Sequence, residues 1–175
     1  LFAVLPLINT FRRPEGGIAM TEPFHIAYQL HDAGWASVTV KYGEENYQQA
    51  VSYLHDSLKD LCDLAIALQS SGSITESKVL FLDEPGELAL LVSAAEQSNE
   101  AEVRLIYSDD WFFSFNFNRS PQQTLWHGKV DRYELAENIR LILEDIYLNI
   151  GEKEYLERWV EHPFPKKSYL KLSRL

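Results

Sequence analysis

The stretch VLFLDEPGELALLV, residues 79–92, sets two greasy runs around a turn that carries Asp83, Glu84 and Glu87. An acidic active-site loop and the tip of a β-hairpin would both look like this. Pro85 suits the second position of a type II turn and Gly86 supplies the positive φ wanted at the third, so 84–87 is predicted to be a type II turn. The flanking runs 78–83 and 87–93 then become antiparallel strands, and the carboxylates sit at an exposed tip where charge also discourages edge pairing.

Upstream, Ile26, Tyr28 and Leu30 alternate with smaller or polar residues, as do Val38 and Val40. With His31–Gly34 as the turn between them, residues 24–30 and 35–42 read as a first hairpin. Tyr47, Val51, Leu54, Leu58, Leu61, Ala65 and Leu68 recur at steps of four and three, which predicts one long helix over 44–69. Downstream, Val103, Leu105 and Tyr107 alternate as a strand. In WFFSFNFN, residues 111–118, Trp111, Phe113, Phe115 and Phe117 share one face while Phe112, Ser114, Asn116 and Asn118 share the other. That is a period-two pattern, so a strand is expected there, followed by another over 124–129. Asp131 followed by Glu134 marks a helix start, and the apolar residues from Leu135 to Leu148 carry that helix to about 150. Gly151 interrupts it, a further helical segment spans 152–161, and Pro163 and Pro165 end regular structure.

Strands precede and follow helices without strand–helix–strand alternation, so the fold class is α+β. The expectation is a single antiparallel meander of about six to seven strands with helices 44–69 and 131–150 on one face, the opposite face remaining open. Residues 1–19 read as a non-native or flexible extension, 20–163 as one domain, and 164–175 as a basic, mobile tail.

The formal net charge is −10. Arg12, Arg13 and Glu15 leave residues 1–19 at +1, and Lys166, Lys167, Lys171 and Arg174 give 164–175 a charge of +4, so residues 20–163 carry −15. Such a body repels phosphate backbones and anionic lipid and attracts a basic protein, so neither nucleic acid nor membrane is expected as a partner. No apolar run approaches the roughly 20 residues of a membrane span. The single cysteine, Cys62, precludes an intramolecular disulfide and suits a reducing, cytoplasmic location.

Signatures of common enzymes are missing: GxSxG, a P-loop and a dinucleotide fingerprint do not occur. No two histidines stand at the i, i+4 spacing of zinc ligands, and neither a cofactor nor a metal is expected. In a meander, the 84–87 and 108–110 turns fall at the same end of the sheet. Asp83, Glu84, Glu87, Asp109 and Asp110 are therefore candidate partner-binding residues, with Ser114, Asn116 and Asn118 as an adjoining polar face.

The strand Gly34–Val40, the helix segment LCDLAIAL (61–68) and the DEPGE turn (83–87), in this order and followed by a meander and a helix, resemble small bacterial proteins of unknown activity. Some similar proteins are immunity partners of polymorphic toxins. The resemblance spans roughly 24–150 and brings no functional residue with it. It implies a non-catalytic binding protein that masks a basic toxin or another basic protein. The alternative is a small enzyme, or a ligand- or cation-binding domain, built on the acidic turns.

Overall fold

A computed structural model describes residues 24–115 and 121–174; the reading of residues 1–19 concerns residues outside these. The first hairpin forms as expected. Strand β1 (Phe24–Leu30) pairs antiparallel with β2 (Trp35–Tyr42), and Gly34 closes the turn with φ of 79°.

The predicted helix over 44–69 divides. Residues Glu45–Ser52 form β3, paired antiparallel with β2, and only Ser57–Gln69 form helix α1. The reason lies in the spacing. A step of four, as from Tyr47 to Val51, returns to the same face of a helix and also of a strand. Only steps of three demand a helix: those from Leu58 to Leu61 and from Ala65 to Leu68 fall inside α1, whereas the earlier one, Val51 to Leu54, runs across the end of β3. Asp56 supplies the start signal: its side chain accepts from the Lys59 amide at 3.1 Å.

Strands β4 (Ile74–Asp83), β5 (Gly86–Ala94), β6 (Glu100–Ser108) and β7 (Gln122–Asp131) follow as an antiparallel meander. The fold is thus α+β and antiparallel, but the single sheet expected is replaced by two: β1-β2-β3 and β4-β5-β6-β7. Both contribute their inner faces to one core. At one seam Trp126 of β7 stacks on Phe24 and Tyr42, with ring centroids 4.9 and 5.6 Å away. At the other, Gln49 of β3 donates to Asp83 of β4.

The expected strand at 111–118 is also corrected. Phe112–Phe115 form a single helical turn, α2, and Asn116 and Asn118 lie outside the described residues. Phe113 packs on the outer face of the second sheet, against Leu80, Ala89, Leu91 and Ile106. The apolar half of that face is therefore covered, and the remainder carries the pairs Arg104–Glu76, His127–Glu102 and Lys129–Glu100.

Helix α3 (Arg132–Asp145) starts at Asp131, whose carboxylate accepts from the amides of Tyr133 and Glu134. It runs into a π-helical turn at Ile146–Ile150, then Gly151 and α4 (Glu152–Trp159). The described residues of the expected mobile tail, 164–174, are not free. Lys166–Leu172 form α5, and Phe164, Tyr169 and Leu172 enter the core. Tyr169 and Leu172, three residues apart, share one helix face and bury it while the lysines stay wet.

Three polar side chains from helices satisfy backbone that the sheets and α1 leave open. Asn138 of α3 accepts from Ile26 N at 2.7 Å and donates to Ile26 O at 2.9 Å, acting as one rung on the free edge of β1. Asp60 of α1 accepts from Leu80 N on the edge of β4. Arg132, with no exposed surface, donates to the carbonyls of Leu68 (2.9 Å), Ser98 (3.1 Å), Ser70 (2.6 Å), Ala67 (3.3 Å) and Gly72 (3.3 Å). Helix α1 has no basic residue in its own last turn, so this guanidinium supplies both the donors and the positive charge that its C-terminus calls for.

Arg132→Met should lower unfolding stability by about 3 kcal/mol or more, because several buried carbonyls lose their donor together. Arg132→Lys should fall in between, since an ammonium cannot span the same acceptors. Urea denaturation measures both; a loss under about 0.5 kcal/mol in Arg132→Met, the range of ordinary surface changes, would refute the account.

Candidate functional site

The DEPGE turn is not the expected type II turn over 84–87 but lies one residue earlier, over 83–86. Asp83 pairs with Gly86 in the β4–β5 register, only Glu84 and Pro85 form the tip, and the bond between them is cis. Gly86 does not adopt a positive φ. Glycine serves there in a different way: a Cβ would meet the Tyr107 hydroxyl at 2.8 Å, so its absence lets the phenol lie across the hairpin.

The expectation that two acidic turns share one end of the sheet agrees with the register, in which Glu87 stands opposite Ser108. The acids themselves divide into two groups. Glu87 is only 1% exposed and both its oxygens are occupied, by Phe113 N at 2.8 Å, Ser114 N at 3.1 Å and Ser114 Oγ at 2.6 Å. It holds α2 against the sheet, and Ser114 is used in the same contact. Neither is free to meet a partner, and the placement of Glu87 at an exposed tip is corrected. Asp110 accepts from the neighbouring Trp111 amide.

Asp83, Glu84 and Asp109 remain. Asp83 is half-buried and accepts from Gln49 Nε2; burial pushes its carboxyl above the ordinary range, partly opposed by that hydrogen bond. Glu84 is exposed and accepts from Ser52 Oγ. Asp109 is exposed. Among the described residues none of these three has a lysine or arginine within ion-pair distance. Glu76, Glu100, Glu137, Glu144, Glu152, Glu154 and Glu157 all do.

Two half-buried tyrosines, Tyr47 and Tyr107, adjoin these acids and were not singled out from the sequence. Tyr47 and Tyr107 face each other across the seam, centroids 6.4 Å apart and tilted by 51°. Tyr47 donates to Gln49 Oε1 at 2.8 Å, and Gln49 passes the chain on to Asp83. Tyr42 lies beside Glu45. Burial first and the surrounding negative charge second raise all three phenols, Tyr47 to about 12. Each is therefore a neutral ring at physiological pH. The alternation Val103, Leu105, Tyr107 could have placed Tyr107 on the inner face; nothing local could have placed it opposite Tyr47.

Elsewhere, His55 pairs with Asp60, Nε2 to Oδ2 2.6 Å, rather than with the adjacent Asp56, which caps α1. The Asp60 hydrogen bond raises the imidazole above its ordinary value despite partial burial. Cys62 is fully buried, and desolvation pushes its thiol up to about 12, so it is not a nucleophile at neutral pH. Among the described residues no three or more of His, Cys, Asp and Glu are arranged to hold a metal ion, and no helix is long and apolar enough to cross a membrane. An open groove of about 730 Å³ lies between Asp32 and the start of α4, but its acids are already paired, Asp32 and Glu154 with Arg158, Glu157 with Lys153 and Glu152 with Lys166, and none of the candidate acids lines it.

Gly86→Ala should cost about 1 kcal/mol through the Tyr107 contact, and less in a Tyr107→Phe background, which removes the atom at 2.8 Å. Equal costs in both backgrounds would rule out the contact as the cause. For His55, a raised folded-state pKa means that the stabilisation is complete below about pH 6.5 and is lost as pH rises through the folded value. Stability followed by urea midpoint should decline modestly over that range, and Asp60→Asn should flatten the decline; an unchanged slope would contradict the pairing.

Comparison with protein-family models, with curated proteins and with solved structures finds no match to this chain.

Proposed function

We propose that this chain is a non-catalytic binding protein that docks a more basic protein on its acidic surface, in the manner of an immunity protein masking a toxin. The observation that carries the reading is the state of Asp83, Glu84 and Asp109. Among the described residues nine carboxylates pair with a lysine or arginine; Asp83, Glu84 and Asp109 belong to those that do not, and two of them are held in place by neutral side-chain donors from β3, Gln49 and Ser52. A carboxylate positioned without neutralisation keeps its field for another molecule. The raised Asp83 carboxyl agrees with this: burial disfavours its charge in the free protein, and a cation arriving from a partner would relieve that cost.

Such a surface acts first on the rate of encounter. Opposite charge steers two proteins together, and salt suppresses the effect as the Debye length falls from about 10 Å at 0.1 M to about 3 Å at 1 M. A partner captured from the native host by cross-linking, then purified, should associate more slowly as salt rises. The triple variant Asp83→Asn, Glu84→Gln, Asp109→Asn should slow association at low salt by about tenfold or more. Asp83→Asn alone should leave thermal stability unchanged or slightly raised, because Asn can still accept from Gln49 and carries no buried charge. Association that ignores both salt and the triple variant would place the interface elsewhere.

A further inference from the structure

The tyrosines specify the chemistry that such a partner presents, and this step rests on the docking reading above. Where this chain sets a ring beside a carboxylate, it can also supply the cation. Lys166 pairs with Glu152 at 2.7 Å and lies over the Tyr147 ring at 5.9 Å. Lys78 lies over Phe113 at 5.6 Å, and Arg132 over Tyr133 at 5.8 Å. The group formed by Tyr47, Tyr107 and Asp83 has the rings and the carboxylate, and among the described residues no cation lies over those rings or pairs with that carboxylate.

We propose that the anchor of the docked partner is an arginine side chain, stacked on the exposed ring surface of Tyr47 or Tyr107 with its N–H groups directed to Asp83. Arginine fits better than lysine for three reasons. Its guanidinium is planar and stacks on a phenol face, it sheds water more readily than an ammonium, and its fork donates in-plane to a carboxylate while the plane is stacked. The group is also pre-arranged. Gln49 bridges Tyr47 and Asp83, and Gly86 lets Tyr107 lie across the hairpin. Little side-chain freedom remains to be lost on binding. Half-exposed tyrosines with a desolvated arginine are also the residue types that concentrate binding energy at the centre of protein interfaces.

The test uses the full chain and three small probes: N-acetyl-arginine amide, N-acetyl-lysine amide and N-acetyl-citrulline amide, the last being planar but uncharged. In an NMR titration the arginine probe should give saturable shifts at Tyr47, Gln49, Asp83 and Tyr107. The lysine probe should bind several-fold more weakly, and citrulline should not bind measurably. Asp83→Asn, which is expected to fold normally, should weaken arginine binding by about fivefold or more, and so should Tyr107→Leu, its fold being checked by the dispersion of the remaining signals. Shifts that do not saturate and spread equally to Glu134 and Asp145, or equal responses to arginine and lysine that survive both substitutions, would overturn the proposal. The docking reading is judged separately. A basic partner whose binding is salt-dependent but indifferent to Tyr107→Leu keeps that reading and removes the arginine anchor. Saturable arginine binding together with salt-independent partner association does the reverse.

Discussion

A single buried guanidinium ties together segments that are distant in the chain. Arg132 stands at the first position of α3, yet its donors reach the last turn of α1, the 70–72 loop and the 95–98 loop. Its own amide donates to Asn99 O. Moving α3 relative to α1 would strand several carbonyls at once, each carrying a desolvation cost of about 1–3 kcal/mol. The charge is buried without a carboxylate partner among the described residues, and the negative end of α1 takes that role. Helix α3 is thereby held where Asn138 can reach the edge of β1 and Leu135, Ile139 and Leu143 can enter the core.

The same logic governs the sheet edges. A meander of strands ends in unpaired backbone, which invites association with other strands. Here Asn138 blocks the free edge of β1 and Asp60 blocks part of β4, so helix side chains complete what neither sheet can complete alone. Dividing the strands between two sheets has a functional consequence. It opens the seam along which Tyr47, Gln49, Asp83 and Tyr107 meet, with residues drawn from β3, β4 and β6. The proposed docking surface therefore depends on a seam that a single continuous sheet would not contain.

Buried and exposed carboxylates one turn apart illustrate how chemically similar residues take opposite roles. Glu84 and Glu87 flank the same Pro–Gly pair, but Glu87 points to the outer face of β5, where it receives three donors from Phe113 and Ser114 of α2. Glu84 sits at the tip and stays exposed. Three hydrogen bonds take up most of the acceptor capacity of a carboxylate, and Glu87 is buried, so a cation site that includes it gains no support from this geometry.

What the sequence determined by itself was whatever rests on local period and turn chemistry. The first hairpin, the β4–β5–β6 strands, the α+β class, the start of α3 at Asp131 and the shared end of the two acidic turns all follow from residues near one another in the chain. The tertiary structure decided the cases where two local readings coincide or where the partner is remote. The Tyr47–Val51 step of four suits strand and helix alike, and pairing with β2 selected the strand. The alternation in 111–115 yielded to a helical turn because Glu87, more than twenty residues earlier, offered its oxygens to those amides. The basic segment 166–172 was expected to be mobile and became a helix because the core had room for Tyr169 and Leu172. Likewise the acids were legible one by one, but which of them would be spent inside the fold, and which left beside Tyr47 and Tyr107 without a cation, depended on side chains brought together across tens of residues.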